Sequence, residues 1–220
     1  DKINILVDLS GHTAGNSLLV FAQKPSPIQV TWLGYPNTTG LSAIDYRFTD
    51  IIADPIGDAD NLHSETLLRL PNGFQCYQGN EKIPVDKDLS QKSLKPITFG
   101  SFNNISKLTQ EVIKTWSKIL HAIPTSRLIL KFPKLDTNTT YYHELFMQEG
   151  ITKERIEFYQ RSPSIEEHLA LYNIIDICLD PFPYNGATTT CDALWMGVPV
   201  ITLLGNRHVG RVGASILTNV

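Results

Sequence analysis

The chain has 220 residues, 42% of them hydrophobic and 19% charged, with a formal net charge of −3. There is no basic excess to suit nucleic acid, and no apolar run approaches the roughly 20 residues that a membrane-spanning helix needs. Three cysteines, Cys76, Cys178 and Cys191, form an odd and unevenly spaced set without a Cys-x-x-Cys pair, which reads as reduced thiols of a cytoplasmic protein.

Residues 3–9 open the chain as a near-continuous apolar strand, the kind expected in a parallel sheet buried on both faces. No signal-peptide pattern is read at the start of the given sequence. Both ends read as cut, so the chain is expected to belong to a longer protein. A short helix over 17–23 ends at Lys24-Pro25, and a second strand at 28–33 runs into the glycine-rich turn 34–40. Short strands are expected at 46–49 and 65–70, before a polar, aperiodic stretch at 75–96. The alternation then resumes, with strands at 97–102, 127–131, 155–159, 175–179 and 198–203. Between and after them come helices at 110–122, 141–149, 164–172, 188–195 and 210–217. Ser164 is the expected N-cap of the third of these, with Glu167 at the capping-box position.

Strand–helix alternation of this kind implies parallel sheets with right-handed crossovers. The expected architecture is α/β, with two Rossmann-like domains facing each other across a cleft. Residues 1–74 would be the C-terminal part of an incomplete first domain, 75–95 a linker, and 96–220 a second domain truncated at its C-terminal end.

Four loops follow strands directly and so lie on the carboxyl edge of a sheet, where open α/β sheets hold ligands. The turn 34–40 allows close backbone approach, or is a plain surface turn. Phe102-Asn103-Asn104-Ile105-Ser106-Lys107 sets two amides and a lysine where they would meet a phosphate, or is a common Asn-rich loop. His168 falls on the first turns of the helix after 161–164, as a ligand contact or as a structural histidine. The fourth loop is the most informative. A buried strand runs through a Pro/Asn/Gly turn into Thr188-Thr189-Thr190, whose hydroxyls are expected to cap the helix start and make an anion cradle. Asp192, one turn further, would accept hydrogen bonds from sugar hydroxyls; the plainer alternative is an acid answering the helix dipole of an ordinary capped helix. The six histidines are scattered, with no His-x-x-x-His spacing, so no metal site is expected.

Several blocks together resemble the catalytic region of protein O-linked N-acetylglucosamine transferases, the bacterial SPINDLY-like members of glycosyltransferase family 41 most of all. They are Asp8-Leu9-Ser10-Gly11-His12-Thr13, the run from Pro27 through Trp32-Leu33-Gly34-Tyr35-Pro36, Gly100-Ser101-Phe102-Asn103-Asn104 with Lys107, and Asp192-Ala193-Leu194-Trp195-Met196-Gly197-Val198-Pro199-Val200. The resemblance covers nearly the whole chain and implies a GT-B fold and inverting transfer without a metal or other cofactor. The implied donor is UDP-N-acetylglucosamine, the acceptor a Ser or Thr hydroxyl of a protein or peptide. It also implies N-terminal tetratricopeptide repeats in the parent chain.

By the same resemblance, Asn104 and Lys107 meet the ribose-diphosphate region, with Lys107 stabilising the departing diphosphate. His168 packs near the uridine, Thr188 and Thr189 bind the diphosphate, and Asp192 contacts the ribose. Leu33, Gly34 and Pro36 line the sugar pocket, and His12 faces the cleft as a candidate catalytic residue. Ala187 stands where animal members have a histidine on the diphosphate. A different donor or acceptor on the same fold (O-fucosyl or N-glucosyl transfer), or a catalytically silent nucleotide-sugar-binding module, are the alternatives.

Overall fold

The computed structural model describes residues 2–81, 83–85, 95–134 and 137–220. Residues 82 and 86–94 of the expected linker lie outside them. The chain forms two compact units: residues 1–76 together with 204–220, and residues 77–203.

The first unit is a four-stranded parallel sheet in the order β1-β2-β3-β4. Its strands are β1 (Ile5–Asp8), β2 (Ile28–Thr31), β3 (Tyr46–Asp50) and β4 (Thr66–Leu70), and the short helix α1 (Leu18–Phe21) follows β1. One expectation is overturned at β1. It lies at the edge of the sheet, and Ile5 and Val7 are 56% and 41% exposed, so among the described residues it is not buried on both faces.

Much of the interior of this unit is polar. Arg47, 1% exposed, donates from Nη1 to Asn37 O (2.7 Å) and from Nη2 to Tyr35 O (2.8 Å). Asp8 accepts from the amides of Ser10 and Gly11 and from the Thr31 hydroxyl. Buried carboxylates at strand ends survive only with such donors. The same need explains why the last segment joins this unit, although the sequence pattern placed it with the second. Asp50 accepts from the Ser215 hydroxyl of α6 (Val212–Thr218), and Asp54 accepts from His208 Nδ1 at 2.7 Å. Burial pushes the Asp54 carboxyl up, but hydrogen bonds from His208 and Thr49 outweigh it and hold it down at about 2.

The second unit is a five-stranded parallel sheet ordered β7-β6-β5-β8-β9. Its strands are β5 (Thr98–Ser101), β6 (Arg127–Phe132), β7 (Ile156–Gln160), β8 (Ile177–Leu179) and β9 (Val200–Ile201). Helices α2 (Gln110–Ala122), α3 (Thr137–Gln148), α4 (Ile165–Ala170) and α5 (Thr188–Trp195) connect them. Thr109 caps α2 through Val112 N, and Ser164 caps α4 through Glu167 N as expected.

Alternation along β6 divides the core between the two faces. Leu128, Leu130 and Phe132 pack with Val112, Trp116 and Leu120 of α2 and Phe146 of α3. Ile129 packs on the other side with Leu169, Tyr172, Ala193 and Met196. Burying each such side chain fully contributes roughly 1.5–3 kcal/mol. The strand order reverses between β5 and β8, so the loops leaving these two strands flank a topological switch point, the usual ligand crevice of such sheets.

Candidate functional site

The loop after β5 and the turn after β8 meet at that switch point. From the first, Lys107 Nζ reaches across to Asn185 O at 2.8 Å and to Asn103 Oδ1 at 3.2 Å, and stands 4.0 Å over the Tyr184 ring. Asn103 Oδ1 also accepts from the Thr189 hydroxyl at 3.1 Å, which ties the loop to the start of α5. Asp180, 4% exposed, closes the turn from below, accepting from Gly186 N (2.6 Å) and from the Thr202 hydroxyl (2.7 Å).

Burial pulls the Lys107 ammonium down to about 8, against the opposing pull of Asp180. Burial likewise pushes the Asp180 carboxyl up to about 6, despite its hydrogen bonds and Lys107. The turn needs a glycine at 186. A Cβ there would stand 2.5 Å from Thr189 Oγ1, 2.8 Å from Thr190 Oγ1 and 3.0 Å from Asn103 Oδ1.

The threonines do not cap the helix as expected. Ala187 is the N-cap residue and offers no side-chain bond; Thr188, Thr189 and Thr190 occupy the first helical turn. The first amides of an α-helix have no partner within it, and here no cap side chain takes them. Their positive end therefore faces the same place as Lys107 Nζ. Asn104 Oδ1 accepts from Ser106 N and the Ser106 hydroxyl and so caps the turn Ile105–Lys107, while Asn103 makes the cross-loop contacts.

One turn further along α5, Asp192 is 5% exposed and holds two donors. Tyr77 donates to Oδ1 at 2.7 Å, and His168 Nε2 lies 3.3 Å from Oδ2. Lys131 Nζ sits 2.6 Å from His168 Nδ1 and 2.9 Å from Ser162 Oγ. Sequence reasoning missed Tyr77 and Lys131. For Lys131 a signal existed: in Leu128-Ile129-Leu130-Lys131-Phe132 the alternation sends a charge to the face of Ile129, towards α4 and α5.

The remaining candidates lie in the first unit, where the loops after β1 and β2 are joined. His12 Nε2 donates to Thr39 O at 2.8 Å, with its ring edge-on to Tyr35. Leu33 has φ +68°, and a Cβ on Gly34 would stand 1.9 Å from Leu9 O, so the close approach of these loops requires glycine. Pro36 borders a cavity of about 470 Å³, walled also by Asn37, Thr38, Asp54, His63 and His208. Thus the structure gathers Lys107, Thr188 and Thr189 at one end of α5, His168 and Asp192 beside it, and His12, Leu33, Gly34 and Pro36 separately in the first unit.

Comparison with known proteins places the chain in a family. The model of "Glycosyl transferase family 41" matches residues 1–92 and 81–220. A "Probable UDP-N-acetylglucosamine--peptide N-acetylglucosaminyltransferase SPINDLY" of Solanum lycopersicum is 45% identical over all of this chain, which spans 24% of its length. The corresponding SEC protein of Arabidopsis thaliana is 34% identical over 98% of the chain and 23% of its own length. Among solved structures, a mutant of the Thermobaculum terrenum O-GlcNAc transferase superposes with a TM-score of 0.90 at 38% identity, over 99% of this chain and 41% of that one. The chain therefore spans about a quarter of the curated relatives it matches. Its paired parallel α/β sheets are those of a GT-B type catalytic region, and it belongs to glycosyltransferase family 41.

Proposed function

We propose that the chain carries the nucleotide-sugar site of an inverting, metal-independent glycosyltransferase that moves N-acetylglucosamine from UDP-N-acetylglucosamine to Ser or Thr hydroxyls of proteins. One observation carries the reading: Lys107 and the uncapped amides of α5 converge at the switch point between β5 and β8. Direct displacement builds negative charge on the leaving diphosphate as the glycosidic bond breaks. Groups aimed where that charge develops lower the barrier without first binding the ground state equally well. Lys107 supplies the positive charge, and the amides of Thr188 and Thr189 supply oriented donors. Asp192, a short way along the same helix, accepts from ribose hydroxyls, and His168 lies against the base. This donor set answers the diphosphate from side chains and backbone alone, which is the basis for expecting transfer to persist in EDTA. The acceptor class and the donor sugar come from the names of the relatives.

The test is transfer of radiolabelled sugar to protein acceptors by the full-length protein, comparing UDP-N-acetylglucosamine, UDP-glucose and GDP-fucose with and without EDTA. Label from UDP-N-acetylglucosamine at unchanged rate in EDTA is the expected result. Label only from GDP-fucose or UDP-glucose would replace the donor and keep the site, and no label from any donor would overturn the enzymatic reading.

A further inference from the structure

We propose that Tyr77 and Lys131 are positioning residues that hold Asp192 as an acceptor-only carboxylate, so that the site selects a ribonucleotide over a 2′-deoxyribonucleotide donor. The proposal rests on the nucleotide-sugar reading above and assigns a task to two residues which that reading leaves idle.

The argument follows the protons. A lysine ammonium has three N–H donors and no acceptor. Lys131 Nζ lies 2.6 Å from His168 Nδ1, so Nδ1 must accept. An imidazole that accepts at Nδ1 carries its proton on Nε2, and Nε2 faces Asp192 Oδ2 at 3.3 Å. The other carboxylate oxygen takes the Tyr77 hydroxyl at 2.7 Å. Both oxygens of Asp192 thus receive a donor from the protein and neither has a use for a proton of its own. Each oxygen keeps a lone pair that only an incoming donor can fill. A vicinal diol brings two such O–H groups at the right separation, whereas a 2′-deoxyribose brings one.

The supporting shell is built for this. Lys131 is 8% exposed, which is costly for a charge without a bound purpose, and Ser162 Oγ at 2.9 Å fixes its second direction. Burial and the hydrogen bond to Asp192 push the Tyr77 phenol well above its ordinary value, so it stays a donor throughout the working range. The segment that delivers Tyr77 is clamped to α5. A Cβ on Gly79 would stand 2.0 Å from the Trp195 ring, and Trp195 Nε1 points to Asn80 O at 3.4 Å. This is second-tier orientation of a ligand-contacting group, the arrangement that precise sites require.

The experiment measures Kd for UDP and 2′-deoxy-UDP, with GDP and 2′-deoxy-GDP in parallel so that the base does not decide the outcome. Loss of one hydrogen bond to a charged acceptor is worth about tenfold or more, so the protein is expected to favour the ribonucleotide by at least about tenfold. Tyr77→Phe and Lys131→Met are expected to shrink that preference to about threefold or less. Their effect falls on donor KM, with kcat at saturating donor within about twofold of the parent, because neither residue touches the reacting bond. Lys131→Arg keeps a donor at His168 Nδ1 and is expected to restore the preference, which a merely structural lysine would not predict. Thermal midpoints of the variants separate loss of fold from loss of orientation. A parent that binds UDP or GDP without ribose preference, or variants that are folded and keep the full preference, would overturn this inference and leave the nucleotide site standing. A folded parent that binds none of the four nucleotides would overturn both.

Discussion

Replacing Lys107 with methionine keeps the length of the side chain and removes its charge. In the structure that charge sits 2.8 Å from Asn185 O and 3.2 Å from Asn103 Oδ1, beside the open amides of α5. A unit charge 4 Å from a developing oxyanion is worth about 4 kcal/mol at an effective dielectric of about 20. Loss of one preorganised donor to a developing oxyanion costs roughly 3–4 kcal/mol in other enzymes. The two figures agree, so Lys107→Met is expected to lower kcat by about a hundred- to a thousandfold. Donor KM changes far less, since the charge being answered exists mainly in the transition state.

The pH profile gives a second reading of the same group. With its ammonium pulled down to about 8 by burial, Lys107 loses its proton as pH rises through that value. At pH 7.5 roughly three quarters of the protein carries the charge. kcat/KM, which reports the free enzyme, is therefore expected to fall above about pH 8. The limb in kcat lies higher, because a bound diphosphate stabilises the ammonium. Lys107→Arg keeps its charge at every accessible pH and loses that limb. Initial rates of sugar transfer across pH 6.5–9.5, at limiting and saturating donor, measure all of this (pH values chosen about 1.5 units either side of the lysine). A Lys107→Met protein within threefold of the parent in kcat, or one retaining the alkaline limb, would refute the assignment.

Other perturbations test the support of the same sites. Gly186→Ala places a Cβ 2.5 Å from Thr189 Oγ1 and 3.0 Å from Asn103 Oδ1, and is expected to weaken UDP binding at least about tenfold in calorimetry while the thermal midpoint moves little. Asp180→Asn keeps one acceptor oxygen for Gly186 N but removes the counter-charge to Lys107, so the alkaline limb of kcat/KM moves to lower pH; a limb that stays in place counts against the coupling. The first unit is expected to be acid-labile. Burial lowers the His208 pKa below its unfolded value, so the folded state binds fewer protons there and stability falls as pH drops through about 6.5. The Asp54 carboxyl is held at about 2, so its contribution, on the order of 2 kcal/mol, is present above its unfolded pKa and is lost as pH falls from about 4 towards 2. Urea midpoints at pH 7.5, 5.5 and 3.5 read both steps, and a midpoint flat from 7.5 to 5.5 would remove His208 from the account (pH values bracketing about 6.5 and 4).

How much of this was legible in the sequence depended on the range of the interaction. Elements set by local rules were readable nearly to the residue: the apolar spacing of 110–122, Ser164 ahead of α4, and the short apolar run that became β8. The edge position of β1 was not, because its apolar run is the same whether a strand is central or exposed; only its neighbours decide. The destination of 204–220 was hidden for a similar reason. A helical pattern does not say which sheet it joins, and here the buried acids Asp50 and Asp54 of another unit made the choice.

The site divides along the same line. Lys107 and the threonine turn could be singled out because a loop at the carboxyl end of a strand is a local feature, but the cross-loop contacts of Asn103 could not, since they depend on which of two adjacent amides is used up in a local cap. Tyr77 and Lys131 reach Asp192 and His168 from 115 and 37 residues away in sequence, and no spacing rule connects them. What remained visible was the cost. A lysine inside an apolar strand must be answered by a partner, and its parity with Ile129 already named the face on which that partner had to stand. Buried charge read together with strand parity is therefore a usable pointer to a binding site, since it identifies where a fold has accepted desolvation in return for orientation.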